Sequence, residues 1–258
     1  MEEMRFAVPA DAPDVRGLWN IAFGEDADFN DWYFKNKFDT GNTLLSFCDG
    51  TLAAMVQMPV YEIKGIGRLT YIYGAATRPD LRGRGIMTRL IEKSFALDKQ
   101  NGMAGSMLIP ADKGLFAFYK RLGYSEAFFV RNSIYTAAPA EMRRADKSDT
   151  ALLNRIYETS LLDLPHPVRD EGYWHSQIDM FNALGGYVYT DGKAYAFGME
   201  DGIQELMGQN AGELAAGIAL KLKKPAIKAA EQGGDTSLGM VRLYDGQIDK
   251  MYFNLMYN

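Results

Sequence analysis

The spacing of apolar positions changes repeatedly along the chain, and the changes divide it into elements. Val15, Leu18, Trp19 and Ala22 recur at helical spacing, which predicts a helix over Asp11–Phe23 behind a short strand at Met4–Val8. Leu44–Cys48 and Leu52–Ile63 read as strands about Asp49-Gly50, a strong hairpin signal. After a turn at Lys64–Gly67, a strand-like run over Leu69–Thr77 leads to a helix at Ile86–Lys99, with Ile86, Met87, Leu90, Ile91 and Phe95 on one face. A strand at Gly105–Ile109, a helix at Lys113–Arg121 and a strand at Ala127–Tyr135 complete an alternating first half.

Ala137–Lys147 is polar, contains proline and lacks periodicity, which places a domain boundary there, between residues 1–136 and 147–258. Helices follow at Asp149–Leu161 and Glu171–Leu184, then strands at Gly186–Thr190, Lys193–Met199 and Ile203–Gly208. Asn210 with Glu213 three residues on resembles a capping box opening a helix over Ala211–Leu222. Val241–Tyr244 and Gln247–Met256 read as strands about Asp245-Gly246. The order of elements echoes the first half, although no repeated sequence is visible.

With 258 residues, 47% hydrophobic and 24% charged, the composition is that of a globular chain. The net charge of −5 argues against a nucleic-acid partner, whose binding would rest on a basic surface. No run of 18 apolar residues and no basic-then-apolar leader at Met1–Ala10 is present, so a cytoplasmic protein with no membrane partner is expected. Cys48 is the only cysteine, which excludes an intramolecular disulfide and a thiolate metal cluster. His166 and His175 are too few for a histidine metal site, and no metal is expected.

Candidate chemistry concentrates in Tyr71–Leu90 (YIYGAATRPDLRGRGIMTRL). A strand ends at Thr77, a proline-marked turn follows, and Arg82-Gly83-Arg84-Gly85 opens the helix at Ile86. A helix start presents backbone N–H groups without intrahelical partners and favours an anion, and glycine lets backbone approach a ligand closely. Arg78, Arg82, Arg84 and Arg89 against Asp80 give a local charge of +3. This pattern suits a pyrophosphate cradle or an ordinary solvated helix start. A Walker loop would need lysine after Gly85, and a dinucleotide fingerprint would need glycine where Thr88 stands.

The segment resembles the acyl-CoA loop of the GCN5-related N-acetyltransferase (GNAT) family, Q/R-x-x-G-x-G/A between a central strand and a helix. Arg82 and Gly85 match its first and fourth positions. Met87 replaces the usual small residue at the sixth, as in the branch of the enhanced-intracellular-survival (Eis) acetyltransferases. Leu108–Tyr124 (LIPADKGLFAFYKRLGY) is similar to the family's second acyl-CoA motif, and Asp31-Trp32-Tyr33-Phe34 resembles an early helical segment of the Eis branch. The resemblance implies an α/β GNAT fold, a mixed central sheet flanked by helices, with a second degenerate GNAT-like domain. It further implies acetyl-CoA as co-substrate, held by the backbones of Ala75, Ala76 and Thr77 and by Arg82, Gly83, Arg84, Gly85, Ile86 and Met87. Tyr119 would be the general acid that protonates the departing thiolate.

The resemblance also offers the main-chain carboxyl of Asn258 as the base, with a water relay as the alternative. The implied activity is direct acetyl transfer to a primary amine of a small molecule or peptide; a non-catalytic acyl-CoA-binding module is the alternative. Five acids in Gly24–Thr40 (Glu25, Asp26, Asp28, Asp31, Asp39) against Lys35 and Lys37 would concentrate a cationic amine, or form a solvated face. His166, fixed between prolines, is a candidate lining residue or a packing one. The sequence leaves a homo-oligomer open.

Overall fold

Fourteen strands and seven helices alternate along residues 2–24 and 26–255, the part of the chain that the computed structural model describes. The first run is β1 (Glu2–Phe6), α1 (Ala12–Phe23), α2 (Ala27–Asn36), β2 (Thr43–Cys48), β3 (Thr51–Gln57), β4 (Val60–Ile63), β5 (Gly67–Tyr71), β6 (Tyr73–Thr77), α3 (Ile86–Gln100), β7 (Gly105–Leu108) and α4 (Lys113–Arg121). The second is β8 (Ser125–Thr136), β9 (Arg143–Arg144), α5 (Thr150–Ser160), α6 (Glu171–Ala183), β10 (Tyr187–Thr190), β11 (Ala194–Met199), β12 (Gly202–Gly208), α7 (Ala211–Lys221), β13 (Ala226–Gln232) and β14 (Thr236–Leu243). Two compact units result: residues 1–126 with 239–248, and residues 127–238 with 249–258.

In the first unit the expected hairpin forms, with Asp49 and Gly50 both at positive φ (49° and 78°) between β2 and β3. The run expected as one strand over Leu52–Ile63 breaks at Pro59, which has no N–H for a ladder. The run expected over Leu69–Thr77 breaks at Ile72, and its halves go to different sheets. β5 pairs with β4 and, in parallel, with β7. β6 instead closes the sheet β1-β2-β3-β6, pairing among the described residues only with β3. Ile72 still donates to Met107 O at 2.8 Å, and beyond it the two backbones part. Leu44, Val56, Leu90, Ile91 and Phe95 pack α3 onto these strands.

β14 overturns the expected C-terminal hairpin. It pairs antiparallel with β7, Met240 opposite Leu108 through Leu243 opposite Gly105, and Met240 joins the first unit's core. The described part of the run expected over Gln247–Met256 is not a strand. Its described residues make one bridge, Met251 with Phe128.

The second unit carries the antiparallel run β9-β10-β11-β12, with β13 parallel to β12 and antiparallel to β8. α7 packs Leu214 and Ile218 against Tyr187, Ala194 and Leu206. β13 was not legible, because Ala-Ile-Lys-Ala-Ala-Glu-Gln is poor in β-branched and aromatic residues; pairing on both sides overrides that composition. The capping box at Asn210 does not form: Asn210 is left-handed (φ 54°) and its side chain caps nothing.

Each unit's first helix follows the same polar turn. Arg5 donates to both Asp11 oxygens (2.6 and 2.9 Å), and Asp11 also accepts from Val8 N at 2.8 Å. Arg143 donates to both Asp149 oxygens (2.7 and 2.5 Å), and Asp149 accepts from Asp146 N at 3.0 Å. An Arg-x5-Asp spacing therefore recurs where the linear sequence showed no repeat.

In the core of the second unit, Arg169 and Glu205 form a buried ion pair (2.7 and 2.9 Å). Tyr195 and Tyr252 also donate to Glu205, and Arg169 donates to Asn254 O at 3.0 Å.

Candidate active site

The parting of β6 from β5 and β7 leaves one edge of β6 without a strand partner among the described residues. Ala75, Ala76 and Thr77 lie at the end of that open edge. The chain then turns through Pro79–Leu81 and reaches α3 by way of Gly83 and Gly85, both left-handed (φ 78° and 72°). The left-handed φ favours glycine at 85, and a β-carbon there would also crowd Arg89 Nη1 at 3.0 Å. α3 has no side-chain cap and no acid in its first turn. Its first amides therefore remain available to an outside anion, and the helix dipole adds to their pull.

The arginines brace this loop from within. Arg78 pairs with Asp80 (3.1 and 3.2 Å), and Arg89 with Glu2 (2.8 Å). Arg82 Nε donates to Thr77 O (3.2 Å), Arg84 Nη2 to Asp80 O (3.3 Å) and Arg89 Nη1 to Arg84 O (3.0 Å). Among the described residues Arg82 and Arg84 form no ion pair within 4 Å, although Arg84 adds to the field that lowers the Asp80 carboxyl.

A cavity of about 690 Å³ gathers these parts. Ala75, Ala76, Thr77, Arg82, Gly83, Gly85, Ile86, Met87 and Tyr119 all line it, while Arg84 does not. Asp112 also lines it, and caps α4 by accepting from Gly114 N (2.7 Å) and Leu115 N (3.2 Å). That cap fixes the start of the helix carrying Tyr119. Tyr119 packs edge-on against Phe118 and Tyr124, with centroids 5.0 and 5.8 Å apart. Burial pushes its hydroxyl up to about 12, so the proton is retained throughout the neutral range.

Sequence reasoning missed Phe23 of α1, Thr88 of α3, and Leu115 and Phe118 of α4 as lining residues. Phe23 stands four residues after Trp19, on the edge of the apolar stripe, and that spacing was the available signal. Asn258 lies outside the described residues, as does Glu25.

The acidic run is largely engaged locally. Asp26 caps α2 through Phe29 N (3.0 Å), Asp31 pairs with Arg16, and Asp39 accepts from Gly41 N (2.9 Å). His166 is buried in the second unit, with Nδ1 2.6 Å from Leu164 O and Nε2 3.3 Å from Glu158. It is a packing residue. No helix among the described residues is long and apolar enough to cross a membrane.

An open strand edge runs into an uncapped, glycine-led helix start, and both line the same cavity. The sequence model of the acetyltransferase (GNAT) domain matches residues 3–127. The N-terminal part of the chain is therefore a GNAT acetyltransferase domain, and the protein has the mixed α/β GNAT fold, with mixed sheets flanked by helices. Solved structures agree on that fold. A GCN5-related N-acetyltransferase from Kribbella flavida superposes with a TM-score of 0.73 at 16% identity, over 94% of this chain and 72% of that one. Eis1 from Mycobacterium abscessus gives 0.64 at 16% identity, over 94% and 73%. A GCN5-related N-acetyltransferase from Sphaerobacter thermophilus gives 0.57 at 15% identity, over 96% and 97%. No curated protein sequence matches the chain.

Proposed function

We propose that the protein transfers an acetyl group from acetyl-CoA directly to a primary amine in a ternary complex. The observation that carries this reading is that an uncapped helix start, an open strand edge and a buried tyrosine share one cavity. The residues fit the co-substrate. Arg82, Gly83, Arg84, Gly85, Ile86 and Met87 surround the loop that would take a pyrophosphate, and the β6 edge at Ala75, Ala76 and Thr77 offers backbone partners to an extended amide chain. Acetyl-CoA supplies the activated acyl group and the sulfur leaving group.

The chain's own groups do the rest. Backbone N–H groups near Ala75–Thr77 hold the acyl oxygen and stabilise negative charge growing on it, an effect worth a few kcal/mol in sites of this kind. Tyr119 retains its proton until the sulfur departs and then delivers it there. The amine's proton passes to the main-chain carboxyl of Asn258 or to a water relay; deleting Asn258 should lower turnover and leave acetyl-CoA affinity intact under the first route. The acceptor is a small-molecule or peptide amine of cationic character. The C-terminal unit is read as a degenerate GNAT-like domain, supported by the Arg143–Asp149 turn that repeats Arg5–Asp11 ahead of its first helix.

One observation favours a second reading. Asp112 is the only carboxylate among the described lining residues, and it is engaged as a helix cap, so the same cavity also suits a non-catalytic acyl-CoA-binding module. Calorimetry with acetyl-CoA, together with thiol release across polyamines, aminoglycosides and peptides, separates the two. Thiol release with any amine supports the transferase. Binding without release across the panel supports the module, and absence of binding overturns both.

A further inference from the structure

Arg242 lies outside the segment matched by the acetyltransferase model, and 120 positions beyond Leu122. We infer that it is a positioning residue for Tyr119, pinning the end of α4 from the strand β14; the inference rests on the proton-donor role proposed above for Tyr119.

α4 has nine residues, and Tyr119 stands two before its last, Arg121. The phenol's place in the cavity is therefore set by how the helix ends. Tyr119 O accepts from Leu122 N (2.9 Å) and Tyr124 N (3.2 Å), and Gly123 N donates to Lys120 O (3.0 Å). Two residues beyond Lys120, the carbonyl of Leu122 accepts from Arg242 Nη1. A cation at a helix C-terminus also meets the negative end of the dipole.

The guanidinium is itself held. Its carbon sits 4.5 Å from the centroid of the Phe95 ring of α3, and the Arg242 backbone is registered opposite Ser106 of β7. Among the described residues it forms no ion pair, so the charge is directed to the helix end. The chain leaves it room: Gly123 is left-handed (φ 83°), and a β-carbon there would lie 2.6 Å from Arg242 Nη1. Ser106 Oγ lies 2.7 Å from Tyr124 Oη, and the Tyr124 ring abuts Tyr119. One register position, Ser106 opposite Arg242, thus supports Tyr119 both through the helix end and through its neighbouring ring.

The test is a double-mutant cycle in the full-length protein. Turnover is read as thiol release from acetyl-CoA with the panel amine that gives the fastest rate. Arg242→Met should lower kcat about ten-fold, the scale of a sub-ångström to ångström misplacement. Acetyl-CoA affinity should stay within about two-fold, and Arg242→Lys, which keeps one donor, should fall between. In a Tyr119→Phe background Arg242→Met should add less than about two-fold, because the group it positions is gone.

An equal loss in both backgrounds, or no loss with Tyr119 present, overturns the inference alone. If Tyr119→Phe turns over like the parent, or no panel amine is turned over, the underlying reading fails and Arg242 has nothing to position. Should Arg242→Met fail to melt cooperatively, Arg242→Lys carries the same comparison.

Discussion

The hydroxyl of Tyr244 donates to the carboxylate of Asp98 at 2.6 Å across 146 positions of sequence. Thr70 Oγ1 donates to the other carboxylate oxygen, also at 2.6 Å, and Asp98 is buried in α3. Two neutral donors do not compensate the loss of water, and burial holds this carboxyl above its ordinary 3.8.

The folded state therefore binds a proton at Asp98 more tightly than the unfolded chain does. Stability falls as pH rises from about 3.8 through the raised folded value, and stays at the lower level beyond it. Asp98→Asn removes this titration. Urea unfolding from pH 3.5 to 7 should show the variant gaining relative to the parent as pH rises; a pH-independent difference would contradict it.

Tyr119→Phe should reduce thiol release by about 10²–10⁴-fold, the usual worth of a positioned acid, with acetyl-CoA affinity unchanged by calorimetry. Because burial lifts the phenol to about 12, its proton is lost only as pH rises through that value. No decline in kcat below about pH 10 should trace to Tyr119.

Gly85→Ala imposes a side chain at φ 72° and crowds Arg89 Nη1 at 3.0 Å. The left-handed conformation alone costs about 1–2 kcal/mol. Acetyl-CoA affinity should drop about ten-fold, since 1.4 kcal/mol is a factor of ten. Calorimetry reads the drop directly, and an undiminished affinity would remove Gly85 from the binding loop.

Glu205→Gln leaves Arg169 buried against a neutral partner and should cost about 3–5 kcal/mol in urea unfolding. Adding Arg169→Met should recover part of that loss, because the uncompensated charge goes with it. A double variant worse than the single one would show that the pair does more than satisfy itself.

Much of this was legible where local chemistry decides. Asp49-Gly50 specified its turn, the stripe Ile86–Phe95 its helix, and Arg82-Gly83-Arg84-Gly85 a glycine-led, uncapped helix start. The break at Ile72 was not legible, because Leu69–Thr77 is uniformly strand-like and only tertiary pairing sends its halves to different sheets. β13 was hidden by its alanines and lysine. The turn Arg5–Asp11 and its echo Arg143–Asp149 share two residues across a seven-residue span, too sparse a signal to stand out from composition. Arg242 had no local signal at all, since its role depends on a strand pairing between residues more than a hundred positions apart.

That pairing has a consequence for how the chain is made. Leu108 and its partner Met240 are separated by 132 positions. At about 5–20 residues per second, a ribosome takes about 7–26 s to travel from one to the other. Throughout that interval the nascent first unit carries β7 with an unpaired edge, the kind of template that recruits strands from other chains. The first unit is begun first and finished late, so its maturation is timed by synthesis of β14.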